Sequence, residues 1–231
     1  MTPLVLDINL VNPAFHKKHF TYTGDFGPGS PNTPVLEFHH ISEWREYLLT
    51  LQIRSAKVPG IHADAYHVAL HMLLLAWADA SLIKPAELQG LRSSEAALTG
   101  VYFQPIFERE KGRREKARKT CGGCKKCLLC SKLDRETFRP GLDKLLNYMV
   151  AHDCLDRTLH NENKKASGNA LSVIRNVLAH GDISSGGLPW GGLFEAIREV
   201  MEHACRSFPE PPEYPPEVLA VLGVQRSPTL Q

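Results

Sequence analysis

No run in this chain approaches the roughly 20 consecutive apolar residues that a membrane-spanning helix needs. The best candidate, Val68–Trp77, is interrupted by His71 and reads as a buried helix. Nor do the opening residues resemble a secretory leader, because Asp7, Asn9 and Asn12 break the apolar stretch and no basic region precedes it. These absences predict a cytoplasmic protein whose cysteines stay reduced. There is no internal repeat and no excess of charge. With 43% hydrophobic and 23% charged residues, the composition excludes global disorder. The 231 residues suffice for one elaborated domain or two small ones.

Six cysteines are present, and four of them fall within ten residues as Cys121-Gly-Gly-Cys124-Lys-Lys-Cys127-Leu-Leu-Cys130. That crowding rules out loop-spanning disulfides and favours metal. Thiolates two residues apart can converge on one ion, and Gly122–Gly123 permits the turn. Two identities stay open. One is a structural zinc, although such sites usually separate their two Cys-x-x-Cys pairs by a longer loop. The other is an iron–sulfur cluster: the first three cysteines resemble the Cys-x-x-Cys-x-x-Cys run of bacterial ferredoxins, but the fourth comes one residue early and Ser131 follows it where that pattern has proline. Cys154 or Cys205 offers a more distant ligand. Unmetallated thiols are the remaining reading.

The formal charge of +2 hides an asymmetry. Residues 109–139 hold twelve Lys/Arg against four Asp/Glu, a net of +8, which leaves the rest of the chain at −6. Arg113, Arg114, Lys116, Arg118 and Lys119, with Lys125 and Lys126 inside the cysteine run, would present positive charge to phosphate. Interspersed Glu108, Glu110 and Glu115 also fit a merely solvated helix face.

Residues 1–40 are rich in proline and glycine and predict irregular chain, with a short strand at Leu4–Leu10 where apolar residues alternate. Helical patterning begins at Ser42, a fitting N-cap, with Trp44, Tyr47, Leu48, Leu51 and Ile53 approximating one stripe. A second helix is predicted over Ala63–Ser81, where Tyr66, Ala69, Leu70, Leu73 and Leu74 repeat at helical spacing. A third opens near Pro85 and reaches Tyr102, with Pro105 expected to end or kink it, and residues 106–119 read as an exposed charged helix. Apolar periodicity returns over Pro140–Cys154 through Leu142, Leu145, Leu146, Met149 and Val150. Further helices are expected over Asn169–His180, closed by Gly181, and near Leu193–Phe208. The tail, residues 209–231, is proline-rich. The fold class expected is all-α: a helical bundle over 41–208 carrying a basic cysteine-rich insertion at 109–139.

On the Asn169–His180 wheel, Ala170, Leu171, Val173, Ile174, Val177 and Leu178 share the core-facing arc. Ser172, Arg175, Asn176 and His180 lie opposite, with Asn176 and His180 at i, i+4. A guanidinium, a carboxamide and an imidazole are thus displayed together near a helix end. They suit metal-free RNA cleavage, in which the 2′-OH attacks the adjacent phosphate: His180 moves protons, Arg175 stabilises phosphate charge, and Asn176 orients one or the other. The same three residues also fit a plain helix C-terminus, capping carbonyls and favouring the dipole.

Arg175-Asn176-Val177-Leu178-Ala179-His180 resembles the Arg-(polar)-x-x-x-His motif of the HEPN superfamily. The resemblance rests on those residues and the following Gly181, and extends over the helices from Ser42 to Phe208. It implies a helical bundle, a homodimer whose two motifs share one cleft, and metal-independent endoribonuclease activity in a toxin, anti-phage or RNA-processing setting, with RNA and a neutralising antitoxin as partners. Some members of that superfamily act as non-catalytic binding modules, and the cysteine run is not part of its usual pattern. His39–His40, His62, His67 and His71 lack the acidic companion of a zinc hydrolase and read as core or surface histidines. His152, Asp153 and Asp156 close the helix preceding the motif, within possible reach of it, and Trp44, Trp77 and Trp190 read as packing.

Overall fold

Tryptophan placement organises the first part of the chain. In the computed structural model, which describes residues 7–23, 35–121, 133–153, 171, 179 and 192–210, two antiparallel strands precede the helices: β1 (Lys17–Thr23) and β2 (Val35–His40). The helices are α1 (Ile41–Thr50), α2 (Gly60–Leu75), α3 (Ile83–Thr120), α4 (Leu142–His152) and α5 (Leu193–Ala204), with short 3-10 turns at Ile8–Leu10, Pro13–Phe15 and Ala80–Leu82. The described residues are mostly helical, as the periodicity predicts, but the hairpin departs from a purely α-helical chain. Among the described residues no helix is long and apolar enough to cross a membrane.

The chain divides into two compact units, Met1–Ser93 with Ile183–Gln231, and Ser94–Asp182, where the sequence suggested one helical domain over 41–208. In the first unit, strand alternation sends Phe20, Tyr22 and Phe38 inward and leaves His19, Thr21, Glu37 and His39 outside. The inner aromatics surround the fully buried Trp44 of α1, with Phe20, Tyr22 and Phe38 rings 5.0–5.2 Å from it. The Trp44 indole N–H donates to the Leu73 carbonyl of α2 at 2.8 Å, so burial leaves no orphan donor. Trp77 repeats the device at the end of α2, donating to the Phe15 carbonyl at 2.6 Å. All three elements therefore close on one aromatic cluster.

Several expectations are corrected in detail. Residues before 40 form a hairpin where irregular chain was expected, and Ile8–Leu10 is a 3-10 turn rather than the end of a strand. The paired strands bury aromatics, Phe20, Tyr22 and Phe38, rather than the alternating aliphatics near residue 4. The cap of α1 is His40, whose Nδ1 accepts the Ser42 N–H at 3.1 Å, so Ser42 itself lies inside the helix. Pro105 neither ends α3 nor divides it from the charged residues that follow: the helix runs through to Thr120. The missing N–H is tolerated because Tyr102 before the proline and Ile106 and Phe107 after it are buried.

α5 buries Leu193, Phe194, Ile197, Val200, Met201 and Ala204 in the first unit. The close approach of α3 there requires Gly90, since a Cβ would stand 3.1 Å from the Phe194 ring and 3.2 Å from Ile197. The buried Tyr66 hydroxyl lies 2.9 Å from the Leu51 carbonyl and 3.1 Å from that of Phe194. Burial pushes this phenol well above its ordinary range and keeps it a donor.

Tyr66→Phe leaves two buried carbonyls without that hydroxyl and should cost about 1–3 kcal/mol in urea unfolding. A second outcome concerns His67, which is buried on α2 with its Nε2 unpartnered. Burial holds this imidazole below the ordinary histidine range. The unfolded chain protonates at about pH 6.5, so below that value the unfolded state binds more protons and stability falls as pH drops towards the folded value. The melting temperature should decrease between pH 7.5 and 5.5, and decrease less in His67→Leu. An equal decrease in both proteins would dissociate His67 from the effect.

Candidate nucleic-acid interface

In the second unit, α4 runs antiparallel to the later turns of α3. Tyr102 donates from its hydroxyl to Asp153 and lies 5.7 Å from the Tyr148 ring, while the charged turns of α3 face the start of α4. The packed side is apolar: Leu142, Leu145, Leu146 and Met149 of α4 are buried, as their spacing predicts. Phe103 and Phe107 stack, and Phe138 closes on both.

Above that layer lies an open groove of about 410 Å³, lined by Ile106, Arg109, Glu110, Arg113, Lys144 and Tyr148, with Asn147 and Ala151 completing it. Two helical stripes make it. Arg109 and Arg113 stand one turn apart on α3, and Lys144, Tyr148 and His152 stand one turn apart on α4. Three lining cations meet one carboxylate. Glu110 is nearly buried; its Oε1 accepts from Arg113 at 2.8 Å and from Arg114 at 3.2 Å. The Arg113 hydrogen bond first, then that of Arg114 and the charge of Lys144, hold the Glu110 carboxyl below its ordinary range, so it stays ionised. One glutamate therefore organises several cations without neutralising them.

At the far end of the groove Arg109 Nη1 donates to His152 Nε2 at 2.9 Å. A guanidinium has only donors, so this contact makes Nε2 the acceptor and leaves the proton on Nδ1. The His152 ring lies 4.3 Å from that of Tyr148. Three exposed cations and the Tyr148 ring thus share the groove, and the His152 imidazole adjoins it through Arg109.

Arg175, Asn176 and His180 lie outside the described residues, as do Cys124, Cys127, Cys130, Cys154, Asp156, Lys125, Lys126 and Trp190. Of the motif-bearing stretch, Leu171 and Ala179 are described. Both are helical; Leu171 is buried, as its position on the core arc requires, and Ala179 is exposed. Cys121 is an exposed free thiol just beyond α3, its N–H bonded to the Ala117 carbonyl, so the first cysteine of the run is accessible to a metal. Cys205 is buried, and burial pushes its thiol up, which disfavours the thiolate that metal binding needs. His67 is a core histidine, and the His71 Nδ1 lies 3.2 Å from the His67 carbonyl.

The cationic part of the groove was legible as charge, but its partners on α4 were not. Lys144, Tyr148 and His152 form an i, i+4, i+8 series opposite the leucine stripe, a signal present in the sequence but masked by the stronger apolar pattern. No known family model, curated protein or solved structure matches the chain.

Glu110→Gln should remove the groove's one negative charge and tighten binding of a polyanion such as heparin by roughly two- to fivefold at low salt. Isothermal titration at two salt concentrations reads the effect, and unchanged or weaker binding would show that polyanions do not use this groove.

Proposed function

We propose that this protein is a metal-independent endoribonuclease of the HEPN type, which seats RNA phosphates in the α3–α4 groove and cuts with the Arg175–His180 motif. The observation that carries the RNA reading is the convergence of Arg109, Arg113 and Lys144 beside Tyr148 in one open groove. Phosphate attraction supplies sequence-independent affinity, and the tyrosine offers a face on which a base can stack. The cutting chemistry rests on the motif's residue types. His180 takes the proton of the 2′-OH as its oxygen bonds to phosphorus. The bond to the 5′-oxygen breaks, that oxygen is protonated in turn, and a 2′,3′-cyclic phosphate and a 5′-OH result. Arg175 stabilises the charge on the phosphate, and Asn176 orients one of its two neighbours.

A homodimer that pairs two motifs, a neutralising partner protein and a role in defence against phage belong to the same proposal. The Cys121–Cys130 run fits a metal by its donor set, four thiols in ten residues, with zinc or an iron–sulfur cluster as the occupant. That metal would shape the basic segment and take no part in cutting.

The second reading, a non-catalytic RNA-binding module, uses the same groove. One experiment separates the two: mixed RNA is incubated in excess EDTA with wild type, His180→Ala, His152→Ala and the Arg109→Ala/Arg113→Ala/Lys144→Ala variant. Cyclic-phosphate ends are expected from wild type and absent from His180→Ala, which should still bind RNA. The triple variant should bind weakly, with the slope of log K against log salt reduced by about 2. Loss of cutting in His152→Ala with retention in His180→Ala would move the chemistry into the groove. Binding without cutting by wild type would leave the binding-module reading. Undiminished binding by the triple variant would overturn the groove as the RNA site.

A further inference from the structure

The outer face of the hairpin carries a second constellation, in the other unit. His19, Glu37 and His39 are exposed, and their ligand-capable atoms all lie within 4.8 Å of one another. Strand pairing brings their backbones together. Thr21 pairs with Glu37 and Phe20 with Phe38; the register shifts between Lys17 and Phe20, and His19 in that irregular stretch is exposed, as Glu37 and His39 of β2 are. The imidazoles stand 5.3 Å apart, centre to centre.

Two other histidines nearby each have one ring nitrogen engaged. His16 Nε2 pairs with the Val11 carbonyl, and His40 Nδ1 serves Ser42. Among the described residues, neither His19 nor His39 commits a ring nitrogen to a hydrogen bond. The backbone beneath His39 is held, because its N–H donates to Glu43 at 2.8 Å and ties the end of β2 to the first turn of α1.

We propose that His19, Glu37 and His39 bind a zinc ion that clips β1 to β2. Two imidazoles and one carboxylate make a borderline donor set suited to zinc rather than to calcium or magnesium, which prefer all-oxygen sites. Metal–ligand bonds of about 2.0–2.2 Å in a tetrahedron place ligand atoms roughly 3.3 Å apart. Exposed side chains reach that spacing by small rotations about their own bonds. Water completes the fourth position. Because the ligands come from both strands, zinc stabilises the paired hairpin over any state in which the strands part.

The test uses the full chain, since the cysteine run also takes up metal. Zinc per chain is counted by equilibrium dialysis and elemental analysis in wild type, His19→Ala/His39→Ala, Glu37→Gln, and a variant with Cys121, Cys124, Cys127 and Cys130 replaced by serine. The histidine variant should hold one zinc fewer than wild type, Glu37→Gln should weaken that site roughly tenfold or more, and the four-serine variant should keep it. Cobalt in the four-serine variant should give d–d bands without thiolate charge transfer. Zinc should also raise the melting temperature of the four-serine variant, and that rise should vanish when His19→Ala/His39→Ala is added. Equal zinc counts in wild type and a folded His19→Ala/His39→Ala variant would overturn the proposal. Should that variant misfold, an unchanged affinity in Glu37→Gln would overturn the three-ligand site.

Discussion

The first unit depends on the burial of one indole. Trp44 is fully enclosed, and its N–H has a partner only because α2 brings the Leu73 carbonyl to 2.8 Å. A donor buried without such a partner costs about 1–3 kcal/mol, so α1 and α2 are fixed against each other in register as well as by packing. The strands must then offer aromatic faces to the same ring, which they do with Phe20, Tyr22 and Phe38. Strand alternation has a period of two, so a one-residue slip of β2 would bring Glu37 and His39 to the core in place of Phe38. The inner aromatics thus determine which polar residues share the outer face.

The second unit solves a different problem. Its helix pair has an apolar seam like any other, but the charged turns of α3 bring cations close together on one side. Glu110 holds Arg113 and Arg114 from a nearly buried position, where its charge is screened less than it would be in open water. Side-chain packing helps further: Lys144 lies 5.5 Å over the Phe138 ring and Arg135 5.9 Å over that of Phe103. These contacts orient the cations while leaving Arg109, Arg113 and Lys144 exposed.

Sequence reading recovered what repeats locally. The stripes of α2 and α4 follow from side chains three or four residues apart; the structure buries those of α2 and, in α4, Leu142, Leu145, Leu146 and Met149, while Val150 is half-buried. Features that need distant partners were not legible. Arg109 and His152 are 43 positions apart, and no local period links them. The continuity of α3 through Pro105 depends on tertiary burial of Tyr102, Ile106 and Phe107, which outweighs the local proline penalty. The hairpin escaped because its signal is three inward aromatics within a proline- and glycine-rich region. Histidine as the cap of α1 was missed for another reason: serine is the commoner N-cap, and Ser42 stood two residues away.

Charge separation along the chain joins these observations. Residues 109–139 carry +8 against −6 elsewhere, so like charges are held close together on the last turns of α3. Such repulsion destabilises the compact state unless counter-charge is supplied. Glu110 supplies some of it and the glutamates at 108 and 115 a little more, but the segment keeps its excess. A chain selected only for stability would disperse these cations or pair each with a carboxylate. Two of them, Arg109 and Arg113, instead line an open groove with Lys144 and Tyr148 of α4, where the one lining carboxylate, Glu110, leaves positive charge in excess and a bound anion would supply what is missing.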